Sequence, residues 1–83
     1  MKFHIIIKIR ILENYKIEVI FENQIKKIYD IKPLFDEFQE FRKLKKIEVF
    51  NQAKIDKGGY GIFWDSEIDL SSEEIWKNGV EIK

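Results

Sequence analysis

Residues 3–21 read FHIIIKIRILENYKIEVIF, and the alternation inside this stretch decides the fold class. Phe3, Ile5, Ile7, Ile9 and Ile11 recur at every second position with His4, Lys8 and Arg10 between them, which is the period of a half-buried β-strand. Glu13-Asn14 interrupts the pattern as a turn. Tyr15, Ile17, Val19 and Phe21 then resume it against Lys16, Glu18 and Glu22, so the two strands are expected to pair as a hairpin.

A second turn at Glu22-Asn23-Gln24 leads into IKKIYDI, residues 25–31. A two-residue loop would set Lys26, Ile28 and Asp30 on the face of Phe21, whereas a three-residue loop would set Ile25, Tyr29 and Ile31 there. The second buries more apolar surface and is the expected register. Pro33 suits a first helical turn, and Leu34, Phe38 and Phe41 follow at helical spacing with Phe35 and Leu44 beside them. Residues 33–45 are therefore predicted helical, in one piece or two. In IEVFNQAKID, Ile47 and Phe50 fit a helical turn while Ala53 and Ile55 fit a short strand. KGGYG turns the chain, and GIFWD reads as a strand returning beside it.

The next helix start is well marked. Ser71 and Glu74 have the spacing of a capping box, Leu70 and Ile75 that of a hydrophobic staple, and Gly79 is placed to stop a helix over 72–78. The expected fold is α+β: an antiparallel sheet built from an N-terminal three-stranded meander and a C-terminal hairpin, with two or three short helices, in one domain over residues 1–83. There is no linker, repeat or low-complexity tract.

Composition bounds the function. With 83 residues, 45% of them hydrophobic and 36% charged, the chain suits one globular core and a charged surface. Cysteine is absent, so thiolate chemistry and disulfides are excluded. No apolar run reaches the roughly 18 residues of a membrane span, and the charges in MKFHIIIKIRIL argue against a signal peptide, so a cytoplasmic protein without membrane contact is expected. Net charge is zero but uneven. Residues 1–57 carry thirteen Lys/Arg and nine Asp/Glu, residues 58–83 two and six, or +4 followed by −4.

Candidate chemistry is thin. Asp65, Glu67 and Asp69 alternate as calcium-loop ligands do, but Leu70 occupies the position of the turn glycine and Trp76 that of the bidentate glutamate. Gly58, Gly59 and Gly61 lack the Gly-Lys-Ser/Thr of a phosphate cradle. His4 is the lone imidazole and reads as a solvent-exposed residue of a charged strand face; no cofactor, metal or catalytic residue is expected. The run Arg42, Lys43, Lys45 and Lys46 is the best candidate for binding an anion or a partner, and a nucleic-acid-associated regulator using this face is the alternative reading. Trp76 is the aromatic most apt to meet a protein partner.

The stretches YKIEVIFENQ, IYDIKPLF, LKKIEVFNQAKID and GYGIFWDSEIDLSSEEIW together resemble the small prokaryotic family called domain of unknown function twenty-four forty-two, from about residue 12 to residue 76. The matching positions include Phe21, Asp30-Ile31, Phe50, Ile55-Asp56, Trp64-Asp65, Asp69-Leu70 and Ile75; Gln24 departs from the family's usual glycine. The resemblance implies a compact α+β domain with no established activity. It also implies frequent pairing with a neighbouring small gene in toxin–antitoxin-like arrangements, and in some relatives a C-terminal helix-turn-helix. No such helices follow in this sequence, so action at a promoter would run through a partner. The expected role is a non-catalytic protein-interaction module whose partner is a neighbouring gene's product or a second copy in a homodimer. Asp30, Trp64, Asp65 and Asp69 are family-like positions that the residue pattern leaves without a role.

Overall fold

A computed structural model describes residues 3–82; residues 1, 2 and 83 of the expected domain lie outside the described part. The first three strands, β1 (Ile6–Leu12), β2 (Lys16–Phe21) and β3 (Lys26–Asp30), form the expected antiparallel meander. Phe21 donates its N–H to the Ile25 carbonyl, and Ile17 faces Tyr29, which is the three-residue register. Gln24 closes that turn at φ +75°, the left-handed position usually given to glycine.

One residue changes the reading of β1. Its pairing with β2 shifts between Ile6 and Lys8, so Ile7 sits in a β-bulge. The extra residue reverses the alternation at the start of the strand. Ile6 becomes core at 3% exposure, and Ile7, expected on the face of Ile9 and Ile11, is 51% exposed.

The helical stretch forms in two pieces. Helix α1 (Lys32–Glu37) ends at Phe38, whose extended backbone separates it from a 3₁₀ segment over Gln39–Lys45. That break takes Phe38 out of the expected apolar stripe and leaves it exposed, while Leu34, Phe35, Phe41 and Leu44 are buried. The ambiguous stretch is both things it suggested: helix α2 (Ile47–Phe50), then strand β4 (Lys54–Ile55).

Strand β4 pairs with β5 (Gly61–Phe63) as the expected hairpin, but the sheet does not stop there. A third strand, β6 (Asp69–Ser71), pairs with the other side of β5. After helix α3 (Ser72–Asn78), strand β7 (Val80–Ile82) returns to the first sheet and pairs with β3, giving the order β1-β2-β3-β7. The core lies between the inner face of that sheet and everything else. Ile17, Val19 and Phe21 meet Leu44, Phe50, Ile62, Ile68 and Ile75, all nearly inaccessible.

Ser71 caps α3 by accepting the Glu74 N–H at 3.1 Å. The reciprocal half of the capping box is replaced, because the Glu74 carboxylate accepts instead from the Tyr29 hydroxyl and the Asn78 amide. Gly79 ends the helix without a left-handed turn, at φ −73°. Its role is close approach: a Cβ there would lie 2.6 Å from the Ile75 carbonyl oxygen. Among the described residues no helix is long and apolar enough to cross a membrane.

Candidate functional site

Helix α3 holds two polar constellations on opposite sides. On one side, the N-terminal arm comes back across the helix. The His4 ring stacks on Trp76 with centroids 3.8 Å apart, its Nδ1 lies 2.9 Å from the Glu73 carboxylate, and its backbone N–H donates to the same carboxylate. His4 is therefore half-buried against α3, not the freely exposed residue its strand position suggested. Trp76 is equally engaged, with the Lys27 ammonium 4.4 Å from its ring centroid and Phe21 edge-on at 5.1 Å. The His4 backbone N–H first, and then its ring, hold the Glu73 carboxyl below the ordinary carboxylate range.

On the other side, α1, the end of β3 and α3 enclose an open groove of about 610 Å³. Pairing of β3 with β7 stops at Ile28 opposite Val80, so Tyr29 and Asp30 continue past the shorter strand and form its floor. The Tyr29 hydroxyl donates to Glu74 at 2.9 Å. Burial raises its pKa most, followed by Glu74 and the charges of Glu37 and Asp30, so the phenol stays neutral far into the alkaline range. A second concavity of about 350 Å³ adjoins it, sharing Leu34, Glu37 and Glu74 and adding Glu40, Glu67 and Asp69. Glu67, Asp69 and Glu74 of the C-terminal part thus share one region with Glu37 of α1 and with Glu40. Among the described residues no three His, Cys, Asp or Glu side chains converge as metal ligands.

The family-like positions divide. Asp30 accepts the Lys32 N–H and pairs with its ammonium, which fixes the entry to α1. Trp64 is buried, and its indole N–H donates to the Phe50 carbonyl. Asp65 accepts the N–H groups of Glu67 and Ile68, holding the turn between β5 and β6. Asp69 is exposed at the rim of the second concavity. Three of the four thus have structural work, through side-chain hydrogen bonds whose partners the sequence did not name.

Of the basic run, Arg42, Lys43 and Lys45 are engaged. Arg42 donates to the Phe35 carbonyl, Lys43 pairs with Glu67 at 3.2 Å, and the Lys45 ammonium lies 5.8 Å from the Phe35 ring. Lys46 precedes α2 and is exposed.

A further candidate surface is the edge of β1. It stands at the end of the four-stranded sheet. Phe21 donates to Ile25 and Ile31 to Tyr15, so the odd positions of β2 face β3 and its even positions face β1, opposite Lys8, Arg10 and Leu12. The backbone groups of Ile9 and Ile11 therefore point away from the sheet. Among the described residues the one backbone hydrogen bond on this edge is at its start, where Ile6 donates to the Gly59 carbonyl at 2.8 Å, and strand β4 lies against β1 without pairing with it. The two isoleucine side chains are half-buried at the margin of the core, as are Ala53 and Ile55 around the adjoining strand β4.

A family model described as "Protein of unknown function (DUF2442)" matches residues 6–81. No curated protein and no solved structure matches the chain.

Proposed function

Because the chain belongs to this DUF2442 family, we propose that it is a non-catalytic protein-interaction module acting in the cytoplasm, one component of a two-protein pair of the toxin–antitoxin kind. The observation that carries this reading is the open edge of β1, where the Ile9 and Ile11 backbone groups stand ready to extend the sheet. The charge polarity adds support, since a basic N-terminal part and an acidic C-terminal part give a partner an electrostatic direction of approach. The partner is the product of a neighbouring gene or a second copy of the chain. The nucleic-acid alternative draws less support, because Arg42 and Lys43 are occupied by protein acceptors and Lys45 lies over an aromatic ring.

Co-expression with the neighbouring gene's product, followed by sedimentation analysis, tests the proposal. A stable hetero- or homo-complex at micromolar concentration is expected, and a chain that stays monomeric beside every such candidate removes it.

A further inference from the structure

The open edge of β1 carries a charge pattern that selects among partners. On the solvent face, Lys8 and Arg10 flank the outward backbone of Ile9, and exposed Lys54 lies on β4, the edge strand that β1 touches. Arg10 is shared with Glu18 across the hairpin but remains 64% exposed. The other face of the edge is apolar, through Ile9 and Ile11.

This pattern disfavours a second copy. An antiparallel two-fold pairing that uses Ile9 and Ile11 of both chains sets Arg10 opposite Arg10, and a shift toward Ile7 sets Lys8 opposite Arg10. Like charges directly opposite one another weaken a strand pair, and lysine on an edge strand is a common guard against self-pairing. The same cations favour the opposite sign. Resting on the interaction-module reading, we infer that the β1 edge takes, by strand addition, an extended segment of a different protein that alternates acidic and apolar residues. Its acidic side chains lie beside Lys8 and Arg10, and its apolar ones continue the layer of Ile9 and Ile11. Main-chain hydrogen bonds to Ile9 and Ile11 supply the pairing, and the alternation supplies the choice of partner.

The probe is a short blocked peptide alternating glutamate and valine, with its lysine–valine counterpart as control, titrated into the isotope-labelled full chain and followed by amide shifts and hydrogen exchange. The acidic peptide is expected to protect the Ile9 and Ile11 amides and to bind about three- to tenfold tighter than the basic one. Lys8→Glu should erase that preference, and Ile9→Pro should abolish protection, because it removes an outward N–H and none that β2 uses. Lys8 is exposed, so its variant keeps the test decisive if Ile9→Pro fails to fold. Equal binding of the two peptides, shifts confined to the groove between α1 and α3, no binding of either peptide, or protection that rises with protein concentration alone would each overturn the inference. A neighbouring-gene product that binds yet leaves Ile9 and Ile11 unprotected also overturns it, while leaving the interaction-module reading intact.

Discussion

A methyl group at Gly59 would lie 2.5 Å from the Ile6 carbonyl oxygen and 2.8 Å from an Ile5 methyl, on a backbone already at φ +81°. Space and conformation both demand glycine there. Gly59→Ala is expected to cost at least about 1–2 kcal/mol from the left-handed conformation alone, read as a lower melting temperature by circular dichroism. Gln24 presents the reverse case, a side chain on a left-handed backbone in an exposed turn. Gln24→Gly should stabilise the hairpin by up to about 1 kcal/mol, worth roughly 4–8 °C in a domain of this size; an unchanged or lower melting temperature would show that Gln24 is unstrained. The three-residue turn was legible because only that register buries Tyr29 and Ile31 with Phe21. The second role of Glu74 was not, since spacing names its helical position but not the tyrosine that reaches it from β3.

At the scale of elements, long alternating runs were readable and short ones were not. The meander declared itself through Ile17, Val19 and Phe21, a full set of inward side chains. Strands β6 and β7 have three residues each, too few to show a period, and exist because a neighbour supplies their hydrogen bonds. The bulge at Ile7 is hidden for a related reason: one extra residue reverses the face, and the run Ile5-Ile6-Ile7 is apolar in either phase. Helix α3 is the element whose start was best specified, and its cap can be measured. Ser71→Ala should cost about 1 kcal/mol, measured by urea unfolding, whereas Ser66→Ala, in the turn between β5 and β6, should cost little. Equal losses in the two variants would mean that the Ser71 hydroxyl does not cap the helix.

For the molecule as a whole, pH acts from both ends. Glu73 has its folded pKa lowered by His4, so its contribution is present above the ordinary value of 4.5 and is lost as pH falls through the folded value. Tyr29 has its folded pKa raised, so its contribution is intact below the ordinary value of 10 and is lost as pH rises toward the folded value. Urea unfolding across a pH series should therefore show stability falling on the alkaline side, with a shallower fall in Tyr29→Phe; parallel slopes would contradict the buried phenol. Of the candidate surfaces, charge polarity and the apolar first strand were visible in the residues. The engagement of His4, Trp76 and Lys43 was not, because each depends on a contact between distant parts of the chain.

The return of β7 to β3 also has a kinetic meaning. Lys26 faces Ile82 across more than half the chain, while β1, β2 and β3 need only short loops to meet. Closing the longer loop is entropically slower, so the meander should form early and β7 dock late. Until it docks, β3 exposes its whole outer edge as well as the stretch at Tyr29 and Asp30. A newly made chain therefore passes through a stage with two bare sheet edges, and the interval before β7 arrives is when it is most open to mispairing with its neighbours.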